Sequence, residues 1–432
     1  MNLGLISLGC AKNLVDSEHI LGMFMDSDIK IERDPKKCDV IIINTCGFIE
    51  SAKKEAIDTI LEMAEYKAHR LKKLIVCGCL SQRYKDELIK EIPEVDAFIK
   101  IDDYDRLDKI FRELLKEEKI KRFKDTRELV TPKYFAYLKI SDGCDNRCAY
   151  CAIPLIRGNC KSYRIEDLSQ EALELYKKGV RELCVIAQDT TYYGHDLYGE
   201  FKLAELLKEL DKIPFEWIRV LYMYPDEITD ELLYTMKEAK HVIPYFDIPI
   251  QYGNDEMLRL MNRRGSVKLI KERIAMIREL FEEPIIRTTL ITGFPHETEK
   301  TFTDTLDLVK EIGFDSLGAF TYSKEEGTKA YYMTEEVEPE LALRRYETLM
   351  QLQSQIVREL NEKKVGKILK VLVEKKEELF DRYIGRSIYS APDDVDGKVY
   401  IKTKEALEIG SFYDCIVEST DTYDLYAKLK EE

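Results

Sequence analysis

Cys144, Cys148 and Cys151 follow an apolar stretch in the run Lys139-Ile-Ser-Asp-Gly-Cys-Asp-Asn-Arg-Cys-Ala-Tyr-Cys151. Any fold of this chain must gather three thiols in one tight loop. Three thiolates at this spacing can hold three irons of a four-iron, four-sulfur cluster and leave the fourth iron without a protein ligand. An open iron can bind and activate a small molecule. A structural zinc site would need a fourth ligand. The nearest spare thiol, Cys160, stands nine residues on and fits no common zinc pattern. Plain burial of small thiols is the remaining alternative.

The rest of the chain divides into three segments, at 1–125, 130–360 and 363–432. In the first, the short β-rich runs Leu3–Leu8, Val40–Asn44 and Leu74–Cys77 alternate with helical stretches such as Ser51–Tyr66. That alternation predicts an α/β fold with a doubly wound parallel sheet. The densely charged Phe111–Glu128, followed by Thr131-Pro132, reads as a linker. Lys116–Lys124 within it reads as a solvated helix face. In the second segment, strands are expected at Tyr134–Ile140, Leu183–Ala187, Trp217–Tyr222, Tyr245–Ile250, Ile285–Ile291 and Ser316–Phe320. Six βα units are too few for a full eight-stranded barrel, so a partial one is expected. In the third, Lys367–Val373, Tyr383–Ile388, Lys398–Ile401 and Phe412–Val417 suit a small antiparallel β-barrel.

A second cysteine set emerges from this division. Cys10, Cys46 and Cys79 each lie just past the carboxyl end of a strand. In a parallel sheet those ends share one edge, where ligands bind. Gly9, Gly47 and Gly78 flank them and permit tight turns. The three read as a second three-thiolate cluster site, with filling of apolar core sites as the alternative. Cys38 falls at the opposite edge. Cys77 and Cys184 lie within strands, and Cys160 and Cys415 have no partner spacing.

Bulk properties narrow the setting. Eleven cysteines, an odd number, fit metal ligation in a reduced cytoplasmic chain better than disulfides. No apolar run approaches the roughly 20 residues of a membrane span, and the N-terminus reads as a first strand and not as a leader. The net charge of −15 argues against a nucleic-acid substrate and for a basic partner. From Asp381 onward there are seven Lys/Arg against twelve Asp/Glu. Asp393, Asp394 and Asp396 cluster in one expected turn as a candidate contact for that partner.

With both cysteine sets and the C-terminal barrel in place, the chain resembles the methylthiotransferases of the radical S-adenosylmethionine superfamily over essentially its whole length. Leu8-Gly-Cys-Ala-Lys-Asn-Leu-Val-Asp-Ser-Glu18 is similar to the branch that modifies a ribosomal protein. The tRNA-modifying branch typically carries Gln-Met-Asn after its first cysteine. Ser141–Gly158, Tyr224-Pro-Asp-Glu-Ile228, Asn262-Arg263, Tyr322-Ser-Lys-Glu-Glu-Gly-Thr328 and Tyr423-Asp-Leu-Tyr426 match the ribosomal branch as well. Two positions depart from it: His296 stands where Gly is usual, and Tyr252 where His is usual.

The resemblance implies an N-terminal cluster-binding domain, a radical core with a TIM-like (β/α)6 barrel and a C-terminal TRAM barrel. It implies two 4Fe-4S clusters, S-adenosylmethionine both as methyl donor and as radical source, a reductant such as flavodoxin or ferredoxin, and a sulfur donor. The expected reaction places a methylthio group on the β-carbon of an aspartate of the twelfth small-subunit ribosomal protein. The alternative is a tRNA adenosine as substrate. Five residues are candidate cofactor contacts. Tyr150 either packs on the adenine or belongs to the core. Gln188 and Asp189, ending the second barrel strand, hold the cofactor or cap the next turn. Arg219 needs an anionic partner, either the cofactor carboxylate or a structural acid. Glu297 lines the adenosine pocket or is a surface glutamate.

Overall fold

β-branched runs alternating with helices lay down a parallel sheet over the first hundred residues. Its elements are β1 (Asn2–Ser7), α1 (Ala11–Gly22), β2 (Lys30–Ile31), β3 (Val40–Thr45), α2 (Glu50–Glu65), β4 (Lys73–Gly78), α3 (Cys79–Glu91), β5 (Ala97–Ile99) and α4 (Leu107–Leu115). The computed structural model describes residues 1–392 and 396–431. Strand order is β2-β1-β3-β4-β5, all parallel. Every residue of β3 is buried, as a central strand covered on both faces requires. Opposite Asn44 stand Ser7 on one side and Cys77 on the other, so the carboxyl ends of β1, β3 and β4 are level. The short edge strands β2 and β5 carry too few residues for a sequence pattern to reveal.

The second segment contributes β6 (Phe135–Lys139), β7 (Ser141–Asp142), α5 (Ile153–Arg157), β8 (Lys161–Ser162), β9 (Glu182–Ile186), β10 (Trp217–Val220), β11 (Val242–Asp247), β12 (Ile285–Thr292) and β13 (Ser316–Thr321). β7 and β8 form a small hairpin. The other six make an open parallel barrel in the order β6-β9-β10-β11-β12-β13, the expected partial barrel. Leu138, Val185, Ile218, Phe246 and Ile286 join the helices in one large core. The alternate residues Tyr137, Cys184, Ile186, Tyr245 and Ile285 pack instead with Val15 of α1 and with Leu372 and Ala391 of the third segment. The barrel interior is therefore closed by both flanking units. β11 begins and ends three residues before the expected Tyr245–Ile250. The run contains Pro249, which cannot donate to a ladder.

Helix Pro339–Glu362 leads into β14 (Ile368–Glu377), β15 (Arg382–Arg386), β16 (Val399–Lys402), β17 (Phe412–Thr420) and β18 (Leu425–Leu429). These close into a barrel in the order β14-β15-β16-β18-β17. Four of the strands were expected. β18 closes the barrel by pairing with both β16 and β17, which removes two open edges. No described helix is long and apolar enough to cross a membrane.

The charged stretch before the barrel is not a free linker. α4 ends at Leu115, and Lys116 turns left-handed at φ 55°, so Lys116–Lys124 is not a helix face. Buried Arg127 donates to Glu18 of α1 at 2.8 Å and to Glu171 at 2.7 Å. Composition cannot tell a solvated charge from one paired across an interface.

Candidate functional site

The first cysteine group occupies the level strand ends. Cys10 precedes α1, Cys46 directly follows β3, and Cys79 opens α3. Close approach is built into the backbone. Gly9 has φ +88°, and a Cβ there would lie 2.6 Å from the Cβ of Cys46. Gly78 has φ +93°, and a Cβ there would lie 2.3 Å from Asn44 Oδ1. Burial pushes the Cys79 thiol up to about 12, although Arg157 opposes the shift, and burial raises Cys46 as well. Thiols this hard to ionise become ligands only when a cation compensates them, as metal binding does.

The second group sits in the loop between β7 and α5. Cys144 N–H donates to Gly158 O at 3.1 Å, and Cys151 N–H to Cys148 O at 3.0 Å, which folds the loop back on itself. Burial pushes Cys151 up to about 12 and raises Cys144 too. Arg263 stacks on Tyr224, its guanidinium carbon 3.8 Å from the ring centre, and reaches Cys148 Sγ at 3.8 Å. A cation beside this group eases the burden of several thiolates. Among the described residues no three His, Cys, Asp or Glu side chains converge on a single metal ion. A cluster whose irons each take one thiolate calls for three thiols and not for three donors on one ion, and each group offers three.

The two groups come from elements in contact. Cys79 packs against Ala152 and Ile156, one and five residues after Cys151. Next to them, Arg157 bridges the domains. It donates to Asn13 Oδ1 at 2.7 Å, Asp16 Oδ2 at 2.8 Å and Asp142 Oδ1 at 2.7 Å. Asn13 Oδ1 also accepts from Cys79 Sγ at 3.4 Å. Lys139 completes the cluster by pairing with Asp16 and with Asp142. Two cations thus balance two carboxylates, all within the interface. Further along, Arg83 reaches Glu325 at 3.3 Å and Glu326 O at 3.0 Å, and Lys53 reaches Glu325 at 3.1 Å. The same face of the first domain is thereby tied to the Tyr322–Thr328 loop.

The expected cofactor contacts divide. Tyr150 lies beside the second cysteine group, edge-on to Phe294 at 6.4 Å. Asp189 both caps its turn and reaches the cysteine loop: Oδ1 accepts from Thr191 N at 3.0 Å, and Oδ2 from Asn146 Nδ2 at 2.6 Å. Half-buried Gln188 precedes it at the barrel mouth. Glu297 is buried, with its carboxylate on Arg345 at 2.8 Å and on Gly293 N at 3.0 Å. It is no surface glutamate, and it braces the loop after β12. Arg219 needs correcting. Its anionic partner is Glu182, at 2.8 Å with both side chains fully buried, and it donates to Ile388 O at 3.0 Å. Arg386 binds the other oxygen of Glu182 at 2.7 Å, so this cluster fastens the C-terminal barrel. Arg219→Met is expected to loosen that docking by about 1–3 kcal/mol through unpaired buried groups. Urea titration followed by the fluorescence of Trp217, which packs on Phe412 at 4.7 Å, measures it.

The departures and the acidic turn also resolve. His296 sits at φ +69°, which explains why Gly is usual there. Its ring contacts Glu335 at 3.0 Å. His296→Gly should change thermal stability by no more than about 1 kcal/mol, and a loss beyond that would show that the Glu335 contact outweighs the backbone strain. Tyr252 is buried against Thr301, its hydroxyl 3.4 Å away. Asp396 is no solvated turn residue. It is buried and accepts from Tyr245 OH at 2.6 Å and Ala391 N at 2.8 Å. Asp393 and Asp394 lie outside the described residues.

Sequence reasoning passed over Lys12, Asn13, Asp16, Lys139, Asp142 and Arg157. All flank the cysteines in sequence, within seven residues of a cysteine in these runs. Their only sequence signal was charge beside a ligand motif, which surface residues show equally often. Glu227 was also missed. It is buried beside Asp189 and Arg264, and burial, with Asp189 next, pushes it up to about 8.

Comparison with known proteins places these features in context. Residues 2–100 match the family described as Uncharacterized protein family UPF0004, residues 138–309 the Radical SAM superfamily and residues 365–429 the TRAM domain. The chain is 46% identical over 447 residues to the "Ribosomal protein uS12 methylthiotransferase RimO" of Acetivibrio thermocellus, covering 100% of this chain and 98% of that one. It is 48% identical over 438 residues to the protein of the same name from Alkaliphilus oremlandii, covering 100% of both. Among solved structures, the radical S-adenosylmethionine methyltransferase TsrM from Kitasatospora setae shares the fold with a TM-score of 0.57 at 10% identity. The match covers 74% of this chain and 72% of that one.

Proposed function

This chain belongs to the family of ribosomal protein uS12 methylthiotransferases, and from that membership we propose the reaction it performs. It places a methylthio group on the β-carbon of an aspartate of the small-subunit ribosomal protein uS12. One observation carries the reading: the elements that bear the two groups of three thiols meet at a domain interface, where Cys79 packs against Ala152 and Ile156. A transfer that both breaks an unactivated C–H bond and delivers sulfur to the same carbon needs two inorganic centres that close.

Cys144, Cys148 and Cys151 would hold one 4Fe-4S cluster, and Cys10, Cys46 and Cys79 the second. When bound, these clusters and S-adenosylmethionine supply the radical and methylthio chemistry. The chain supplies position and dryness. Asn146 and Asp189 tie the cysteine loop to the barrel mouth. Tyr150 and Gln188 would contact the adenosine, and Arg263 would offset thiolate charge beside Cys148. Arg219 is left out of this pocket. Glu297 shapes it indirectly through Gly293.

The net charge of −15 suits a Lys/Arg-rich ribosomal protein. A low-potential reductant of the flavodoxin or ferredoxin kind and a sulfur donor complete the reaction, which we place in the cytoplasm. Mass spectrometry of uS12 from cells with and without this chain tests the proposal. A methylthio mass increment on one aspartate, present only with the chain, is expected. An unmodified uS12 together with a methylthio adenosine in tRNA would overturn it.

A further inference from the structure

Lys12 is buried at 5% exposure, two residues after Cys10 and in the first turn of α1. A cation there meets the positive end of the helix dipole, so local forces do not favour it. The other cations at this junction are engaged. Arg157 and Lys139 share Asp16 and Asp142, and Arg263 donates to Pro249 O and stacks on Tyr224. The Lys12 ammonium has, among the described residues, neither a carboxylate at ion-pair distance nor a hydrogen-bond acceptor. It rests 3.1 Å from the ring centre of Tyr222. Burial lowers its pKa to about 8, opposed by Cys10 from one cysteine group, by Asp247 and, more weakly, by Cys144 from the other.

The platform beneath it is held in place. Tyr222 has a left-handed backbone at φ 62°, uncommon for a bulky residue. Its N–H donates to Asp247 Oδ2 at 2.9 Å, and Asp247 in turn lies 3.7 Å from Arg287. The ring is therefore presented to Lys12 by a fixed turn at the barrel mouth. A buried ammonium with no carboxylate at ion-pair distance is free to take a ligand anion.

The proposed reaction supplies such an anion. The carbon to be modified must be reachable from both cysteine groups, and its carboxylate is one bond away. We propose that Lys12 is the receptor for the side-chain carboxylate of the substrate aspartate and selects aspartate over asparagine at the modified position. This rests on the functional reading above.

A double-substitution cycle tests it. Binding of isolated uS12 to the full chain with its clusters reconstituted is measured anaerobically by fluorescence anisotropy. The proteins are wild type, Lys12→Met, which keeps the volume, and Lys12→Arg, which keeps the charge. The partners are uS12 and its target Asp→Asn variant. Lys12→Met and the substrate Asp→Asn should each weaken binding by about tenfold, the scale of one charge-assisted hydrogen bond. Combined, they should weaken it no further, because both remove the same contact. Lys12→Arg should retain part of the preference for aspartate. In turnover, Lys12→Met should lower methylthio product by about a hundredfold with aspartate. Independent, multiplying effects, or an unchanged aspartate preference in Lys12→Met, would overturn the inference while product from the wild type upholds the function. No product from the wild type would overturn both.

Discussion

Replacing Cys10, Cys46 and Cys79 together by alanine is expected to abolish methylthio transfer while S-adenosylmethionine is still cleaved reductively to 5′-deoxyadenosine. The three side chains lie on the first sheet, and the second group is held by its own loop and by the barrel. Iron bound after anaerobic reconstitution should fall from about eight to about four per chain. Alanine at Cys144, Cys148 and Cys151 should also halve the iron, but should stop cleavage altogether. Iron analysis and quantification of 5′-deoxyadenosine decide the matter. Unchanged iron in the first triple variant would show that the thiols at the strand ends are only buried. Lost cleavage in a well-folded protein of that kind would show that the division of labour is wrong.

Arg157→Met is expected to destabilise the junction between the first domain and the barrel by about 3–5 kcal/mol, because it leaves Asp16 and Asp142 to share Lys139 in a buried site. The arginine makes three hydrogen bonds there, to Asn13, Asp16 and Asp142. Thermal unfolding and limited proteolysis after Leu115 measure the loss. The double variant Arg157→Met with Asp16→Asn should be more stable than the sum of its single variants predicts, since the groups share one network. Strictly additive losses would mean that the bridge is three independent contacts. Both cysteine groups should also lose alignment, so product should fall more steeply than 5′-deoxyadenosine.

Of the fold and site, what followed local rules was legible. The β-rich runs foretold thirteen of the fourteen described strands of four or more residues, with their ends off by up to four residues. The exception, β18, has a role only as the strand that closes a ring. The triplet at Cys144, Cys148 and Cys151 was plain because its thiols lie in one loop. The set at Cys10, Cys46 and Cys79 was legible by one further step, because a parallel sheet brings successive strand ends to one edge.

The chain by itself therefore determined its three units, its six cysteines of interest and its family likeness, since each depends on spacing within a segment. Tertiary structure alone decided which buried charges serve the site. Arg219 looked like a cofactor ligand and holds Glu182. Asp396 looked like a contact for a basic partner and is bonded to Tyr245. Lys12, Asp16 and Arg157 carried no distinguishing mark and lie at the junction between the cysteine groups. The physical reason is that burial and pairing of a charge are properties of what the rest of the fold places against it, at sequence separations of 141 residues for Arg157 and Asp16 and 151 for Tyr245 and Asp396.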